Sequence, residues 1–195
     1  MNRIHDLYQP LEHFAIWQNG FSPEEIQKIV DTGELAEFNK GQVGSSTDAK
    51  VDDNIRDTDI TWIAQSPENG WIYQRMSQIA TRVNHDKYQF DLSHFQPFQY
   101  GKYKPGGHYT WHYDSGPNLP EHRKLSFVLG LTDPELYEGG ELQLNVHGGQ
   151  ETPHSMKLRK GDIVVFPSWV THRVTPVISG ERMTMVGWAV GPKFK

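Results

Sequence analysis

The stretch HYTWHYD, residues 108–114, places two histidines, two tyrosines, a tryptophan and an aspartate within seven positions. Such an aromatic-rich run is typical of a β-strand, and residues two apart on a strand point to the same face of the sheet. His112 and Asp114 would therefore present an imidazole and a carboxylate side by side. Two ligands do not hold a catalytic metal, so the interpretation as half of a metal site requires a third ligand elsewhere in the chain.

Short strand-like runs separated by turn residues surround this stretch from Phe95 onward. They cover residues 95–103, 108–114, 124–131, 141–147, 163–167, 171–178 and 182–190. Seven or eight strands at this spacing, with helices grouped upstream, predict an α+β fold. We expect a jelly roll, or double-stranded β-helix, over about residues 95–190, buttressed by N-terminal helices over about residues 20–90.

Two helices are predicted upstream of the strands. Ser22, Pro23 and Glu25 form a capping box with proline at the first helical position, and an apolar stripe follows. Residues 69–86 repeat the helical period. Between the helices, residues 41–59 are polar and show no periodicity. Such a long structureless loop is uncommon inside a domain, so it is either a lid over a functional site or a solvated excursion.

Bulk composition narrows the class of protein. With 195 residues we expect a single domain, residues 1–195. The net charge of −5 gives no general attraction to nucleic acid or to an anionic membrane, so neither is expected as a partner. The absence of cysteine excludes disulfides, iron–sulfur clusters and cysteine catalysis. No apolar run is long enough to span a membrane, so we expect a soluble, cytoplasmic protein.

The third ligand is sought among ten histidines. His172 begins a strand after an apolar run and a Pro-Ser-Trp corner, and taken alone it is typical of a buried structural histidine. With His112 and Asp114 it completes a set of two imidazoles and one carboxylate, which suits Fe(II) and which zinc would also accept. His147 and His154 are the alternatives if His172 is not the ligand, although their context is that of surface residues.

Arg182 lies ten residues after His172, at the start of a strand whose alternate residues include Thr184 and Trp188. An arginine that faces inward beside tryptophan needs an anionic partner, either a protein acid or the carboxylate of a ligand gripped by the guanidinium.

These motifs in their order resemble the Fe(II)- and 2-oxoglutarate-dependent dioxygenases, in particular the prolyl 4-hydroxylase branch with its microbial and phage members. The signature of that family is H-x-D, then a distant histidine, then a basic residue about ten positions later. This chain has HYD at 112–114, His172 within THRV and Arg182 within GERM. The run YKPGGHYTWHYD is similar to a longer motif of the branch, with Tyr103 and Tyr109 at its two tyrosines. Collagen-type members carry lysine in place of Arg182, which weakens any inference of a collagen-like target.

The resemblance implies roles for individual residues. His112, Asp114 and His172 would hold Fe(II), and the distal carboxylate of 2-oxoglutarate would meet Arg182, with Tyr103 and Thr184 as further donors. Dioxygen would be the oxidant and ascorbate a reductant. Tyr109 would pack in the wall of the site. On the substrate side we expect the aromatic residues Trp188, Trp111 and Tyr113.

The expected reaction is hydroxylation of an unactivated C–H bond, of a prolyl residue in a peptide or protein. The alternatives are the same chemistry on a free amino acid or small metabolite, a nucleic-acid demethylase, which usually has a second arginine where this chain has Trp188, and a non-catalytic cupin-like binding module. No sequence feature indicates an oligomeric state. If the lid closes over a peptide, its excess of aspartate predicts a preference for proline flanked by lysine or arginine. The charges concerned are Asp48, Asp52, Asp53, Asp57 and Asp59 against Lys50 and Arg56.

Overall fold

Two antiparallel β-sheets pack against each other in the computed structural model, which describes residues 13–44, 49–116, 122–146 and 152–193. The helices are α1 (Pro23–Glu34) and α2 (Gly70–Val83), with a π-helical turn at Asn84–Tyr88 and a 3₁₀ turn at Pro134–Leu136. The strands are β1 (Ala15–Trp17), β2 (Asn39–Lys40), β3 (Gln42–Val43), β4 (Lys50–Val51), β5 (Arg56–Asp57), β6 (Asp59–Ile63), β7 (His94–Phe95), β8 (Phe98–Tyr103), β9 (His108–His112), β10 (His122–Gly130), β11 (Tyr137–Gly139), β12 (Leu142–Leu144), β13 (His154–Met156), β14 (Ile163–Pro167), β15 (His172–Val174), β16 (Val177–Gly180) and β17 (Arg182–Gly191).

The major sheet has the strand order β1-β14-β10-β17-β8-β6-β2, and β7 also pairs with β17. The minor sheet has the order β13-β12-β15-β9-β5. From β8 to β10 and again from β13 to β15 the chain alternates between the two sheets, as in a jelly roll, whereas β11 and β16 pair, among the described residues, only with each other. The described residues form more strands than the seven or eight predicted. Most of the additional strands have only two or three residues, which is too short to show a period in the sequence.

Strand β10 shows why the sequence of the major sheet reads as almost continuously apolar. Leu125, Phe127 and Leu129 point to the cluster formed with the helices, whereas Val128 points to the cluster between the sheets. A strand covered on both faces is apolar at nearly every position. Within residues 125–131 of this region the single polar side chain, Ser126, is fully buried.

The helices pack on the outer face of the major sheet. In α1 the predicted capping box is present: the Glu25 amide donates to Ser22 Oγ at 3.2 Å, and the Ser22 amide donates to Glu25 Oε2 at 2.8 Å. Ile26 and Ile29 of α1 and Met76 and Ile79 of α2 are buried in the same cluster as the outward-facing residues of β10. Helical support of the jelly roll is thus confirmed, and it leaves the inner face of the major sheet available for a site.

The polar segment 41–59 is not structureless where the structure describes it, so that expectation is wrong. Strands β3 and β4 pair antiparallel, and residues 45–48, which include Asp48, lie outside the described residues. Strand β5 then joins the edge of the minor sheet, with Arg56 opposite Tyr109 of β9. Side-chain hydrogen bonds and ion pairs order this segment, and it has no apolar period. The sequence pattern therefore did not reveal its strands.

Three of the four described aspartates of this segment, Asp52, Asp57 and Asp59, form ion pairs. Lys40 Nζ lies 2.7 Å from Asp57 Oδ1 and 3.3 Å from Asp59 Oδ1. Lys104 Nζ lies 2.8 Å from Asp59 Oδ2. Lys50 pairs with Asp52 at 3.2 Å. Lys40 and Lys104, which lie outside the segment, therefore offset the negative charge on which the preference for basic peptides was based.

Among the described residues, no helix is long and apolar enough to cross a membrane.

Candidate metal and cosubstrate site

His112 and His172 meet because β9 and β15 pair antiparallel with these two residues opposite each other. Their ring centroids lie 4.1 Å apart. Asp114 lies two residues after the end of β9, where its amide and that of Ser115 both donate to the Ser168 carbonyl, at 2.9 and 3.0 Å. This contact with the corner after β14 turns the Asp114 side chain into the space between the sheets, where it is buried.

The two imidazoles are oriented in the same way. His112 Nδ1 lies 2.8 Å from the Thr110 carbonyl oxygen, and His172 Nδ1 lies 2.9 Å from the Val170 carbonyl oxygen. Because a carbonyl can only accept, each Nδ1 carries the proton and each Nε2 keeps its lone pair. His112 Nε2 lies 3.8 Å from Asp114 Oδ1, and His172 Nε2 lies 3.6 Å from Asp114 Oδ2. One ligand atom from each of the three residues lies within 4.8 Å of the others.

The electrostatics favour a neutral imidazole beside an ionised carboxylate. Burial, followed by the neighbouring His172, holds the pKa of His112 well below its usual value. Burial of the Asp114 carboxyl opposes ionisation, but His172, His112 and the Ser126 hydroxyl outweigh it and lower the pKa of Asp114. Ser126 Oγ donates to Asp114 Oδ2 at 2.6 Å and lies 3.0 Å from Ser168 Oγ. The two Nε2 lone pairs and the anionic oxygen of Asp114 form the set that suits Fe(II) and leaves coordination positions open.

Arg182 lies on the same inner face of the major sheet, opposite Tyr103 of β8. Its side chain is 4% exposed, and its guanidinium carbon lies 5.0 Å from the centroid of the Tyr103 ring. The Tyr137 hydroxyl is a hydrogen-bond partner of the guanidinium. Within the described part of the chain, no carboxylate lies within 4 Å of this guanidinium, so the protein-acid alternative has no support there. A buried cation with this surrounding fits an anionic ligand.

Between Arg182 and the triad, small residues leave space beside hydroxyl groups. Thr184 is opposite Gly101 of β8 and Gly130 of β10, neither of which has a side chain. The point where a Cβ of Gly101 would lie is 3.8 Å from Thr184 Oγ1 and 3.7 Å from Thr58 Cγ2. The buried Thr58 hydroxyl has no hydrogen-bond partner among the described residues. An unpaired buried hydroxyl fits a ligand that accepts its hydrogen bond.

Trp188 faces the same space, because it is opposite Ser126 in the pairing of β10 with β17. The Arg123 guanidinium carbon lies 3.8 Å from the centroid of its ring, and the half-exposed Trp62 ring lies 6.2 Å away. The buried Trp188 Nε1–H lacks a partner among the described residues.

The sequence also matches known proteins. Residues 98–190 match the family model of the 2OG-Fe(II) oxygenase superfamily. A PKHD-type hydroxylase of Idiomarina loihiensis is 30% identical over 174 residues, which cover 84% of this chain and 75% of that protein. A PKHD-type hydroxylase of Crocosphaera subtropica is 31% identical, over 87% of this chain and 75% of that protein. This chain belongs to the 2OG-Fe(II) oxygenase superfamily.

Solved structures share the fold of this oxygenase. A Pseudomonas putida prolyl-4-hydroxylase superposes with a TM-score of 0.73 at 22% identity, covering 93% of this chain and 94% of that chain. A Trichoplax adhaerens prolyl hydroxylase, in complex with a peptide fragment of the hypoxia inducible factor oxygen degradation domain, gives a TM-score of 0.74 at 19% identity, covering 91% and 83%. At these identities the likeness concerns the fold, and it confirms the predicted double-stranded β-helix.

Membership of the superfamily makes this protein an oxygenase that uses Fe(II), 2-oxoglutarate and dioxygen. The alternative of a non-catalytic cupin-like module is therefore wrong. Ascorbate as a reductant stays a prediction.

The structure does not bring two of the predicted substrate-side residues to this space. Trp111 alternates with His112 along β9, so its ring lies on the outer face of the minor sheet, where the Arg173 guanidinium carbon lies 4.7 Å from its centroid. Tyr113 is exposed beyond the end of β9. Strand alternation, which placed His112 and Asp114 together, also separates both aromatic residues from them.

Other histidines and aromatic residues find different places. His154 is exposed on β13 with its ring 4.5 Å from that of Phe14, away from the triad, and His147 lies outside the described residues. Tyr109, expected in the wall, stacks directly on the His112 ring with 3.5 Å between centroids and 14° between planes.

Several residues of the site were missed from the sequence. Ser126 could have been found, because it is the one polar residue within the apolar run LSFVLGL, residues 125–131. Tyr137, Thr58 and Arg123 reach the site from separate elements, and no local pattern marks them.

Proposed function

We propose that this oxygenase hydroxylates a prolyl residue within a peptide or protein, with His112, Asp114 and His172 as the ligands of its iron. The convergence of these three side chains, with both Nε2 atoms directed at one carboxylate, is the observation that supports the ligand assignment most strongly. Bound Fe(II), together with 2-oxoglutarate and dioxygen, supplies the oxidant that replaces the hydrogen of a C–H bond by hydroxyl.

The protein's own residues hold the cosubstrate in this proposal. Arg182 receives the distal carboxylate of 2-oxoglutarate in a charge-assisted hydrogen bond, because its guanidinium is buried and faces Tyr103 and Tyr137. Thr184, which lies opposite two glycines, is a further donor in this proposal. Burial of these groups keeps water away from the reacting centre.

The residues on the substrate side fit a substrate that has an apolar ring next to a hydrogen-bond acceptor. The Trp188 ring offers a flat surface, which the Trp62 ring, 49% exposed, extends toward solvent. The unpaired Trp188 Nε1–H can donate to a peptide carbonyl. A polyproline II segment has apolar pyrrolidine rings and carbonyls that no internal hydrogen bond uses. The structural relatives named as prolyl hydroxylases, one of them with a peptide bound, support the same substrate class.

The test has two stages. Under anaerobic conditions, Fe(II) and 2-oxoglutarate should produce a weak charge-transfer absorption band in the wild-type protein and none in His172→Ala. After admission of air, proline-rich peptides should gain one oxygen by mass spectrometry, with matching turnover of 2-oxoglutarate. A band without peptide hydroxylation, with turnover of free proline or a small metabolite, would overturn the prolyl-peptide proposal and leave the ligands in place. An unchanged band in His172→Ala would overturn the ligand assignment.

A further inference from the structure

Arg56 is a buried cation that no ion pair explains. Its side chain is 8% exposed, and among the described residues no carboxylate lies within 4 Å of its guanidinium. Nη2 donates to Gln99 Oε1 at 2.6 Å and Nη1 to the Gln42 carbonyl at 3.4 Å, while Nε has no partner in the described part of the chain. Burying a cation without an anion is costly, so another interaction must compensate for it.

That interaction is a stack that ends on a residue of the triad. The Arg56 guanidinium carbon lies 4.7 Å from the centroid of the Tyr109 ring, and Tyr109 in turn stacks on His112 at 3.5 Å. The pairing of β5 with β9 sets Arg56 opposite Tyr109, so the backbone holds the cation over the ring. The edge of the His112 imidazole is held by the Thr110 carbonyl, and its face is held by this stack.

The other side of the guanidinium is closed by the backbone at Gly41. A Cβ at Gly41 would lie 2.8 Å from Arg56 Cζ, so the backbone there packs directly on the cation. Gln99 belongs to β8 of the major sheet, whereas Arg56 and Tyr109 belong to the minor sheet. The cation thus connects both sheets and the polar segment at one point beside His112.

We propose that Arg56 is a positioning residue for the metal site: it presses the Tyr109 ring onto His112 and thereby fixes the direction of the Nε2 lone pair. The inference rests on the proposed function, in which His112 is a metal ligand. A planar guanidinium can stack on a ring and donate from its edge at the same time, which an ammonium cannot do. Residues that orient a ligand imidazole strengthen metal binding without touching the metal.

The chain supplies a matched control in Arg173. Its guanidinium carbon also lies 4.7 Å from an aromatic centroid, that of Trp111 on the same strand β9, and its Nε donates to Gln143 Oε1 at 2.7 Å. This second stack lies on the outer face of the minor sheet, where Trp111 points away from the triad. Loss of either arginine removes the same kinds of contact, but only Arg56 acts on a ligand.

The experiment measures binding of Co(II) to the protein without cosubstrate, by titration of its visible absorption bands. Arg56→Met should weaken Co(II) binding by about 10- to 100-fold and alter the band shape, as expected when the support of a ligand is lost. Arg56→Lys should show the same loss, because the charge remains but the stack does not. Arg173→Met should bind Co(II) within about twofold of wild type, since its stack touches no ligand. Circular dichroism confirms that each variant is folded.

Wild-type affinity and bands in Arg56→Lys would overturn the inference, even if Arg56→Met does not fold. An equal loss in Arg173→Met would also overturn it, since the effect would then be a general loosening of the minor sheet. The proposed function fails in a different way: wild type and His172→Ala would bind Co(II) equally. If wild type binds through the triad and the Arg56 variants match it, only the inference falls.

Discussion

Ser126 is the side chain that fixes the Asp114 carboxylate, and its position in an apolar strand makes that role specific. Its hydroxyl donates to Asp114 Oδ2 at 2.6 Å while the Asp114 amide is held by Ser168. Ser126→Ala should therefore weaken Fe(II) binding by about 10-fold, the lower end of what second partners of ligands contribute.

Ser168→Ala is the control for this change. It removes the neighbouring hydroxyl, which contacts Ser126 Oγ at 3.0 Å, but keeps the carbonyl that holds the Asp114 and Ser115 amides. Anaerobic Fe(II) titration of both variants makes the measurement. Equal affinity in Ser126→Ala and wild type would show that the carboxylate is oriented by the backbone alone.

Arg182 is the residue that we expect to hold the distal carboxylate of 2-oxoglutarate. Replacing it by alanine should leave iron bound and raise the KM for 2-oxoglutarate by at least about 30-fold, because loss of one partner of a buried charge pair costs about 2 kcal/mol or more. Tyr103→Phe should raise the KM less, in line with one hydrogen bond of about 0.5–1.5 kcal/mol. Steady-state turnover against 2-oxoglutarate concentration separates the two. An unchanged KM in Arg182→Ala would show that 2-oxoglutarate does not bind to this guanidinium.

Segment 41–59 determines how strongly the charge of a peptide affects its selection as a substrate. Lys40, Lys104 and Lys50 pair with Asp57, Asp59 and Asp52, so little negative charge is left to select a basic partner. Proline-rich peptides flanked by lysine or by glutamate should then be hydroxylated with kcat/KM values within about twofold of each other, since exposed ion pairs and their field are weak and screened.

Lys40→Met sharpens this expectation. It releases Asp57 and one contact of Asp59, so the lysine-flanked peptide should become the better substrate at low salt and lose the advantage at high salt. A strong preference for lysine already present in wild type would mean that the paired aspartates still act on the substrate.

For the whole molecule, the site lies between elements of both sheets, so its ligands should stabilise the fold. The triad is held by β9 and β15 of the minor sheet, and Arg182 by β17 of the major sheet. A ligand at about 100 times its Kd adds about 2.7 kcal/mol to the free energy of unfolding. For a chain of this size that corresponds to a rise in Tm of about 5–10 °C.

Thermal unfolding with Co(II), with 2-oxoglutarate, and with both tests this expectation. Both ligands together should give the largest rise in Tm, and His172→Ala should lose the part due to the metal. A rise from 2-oxoglutarate that is the same with and without metal would show that the cosubstrate binds elsewhere than beside the triad.

The features that could be read from the sequence are those set by local backbone geometry. The capping box of α1 depends on residues three apart, and the common face of His112 and Asp114 depends on residues two apart. The apolar runs then indicate strands, and the order of helices and strands indicates the class of fold. The spacing of ten residues from His172 to Arg182 can also be read along the chain, and it supported the family resemblance.

The remaining features depend on which strands become neighbours. His172 meets His112 across the pairing of β15 with β9, and Ser126 and Trp188 reach the site through the pairing of β10 with β17. Trp111 was misplaced because residue type alone suggested the substrate side, whereas the packed sheet has one inner and one outer face. Arg56, isolated in a polar segment, gains its partners when β5 joins β9. Strand pairing is governed by the burial of apolar faces across long stretches of chain, which a local sequence period does not contain.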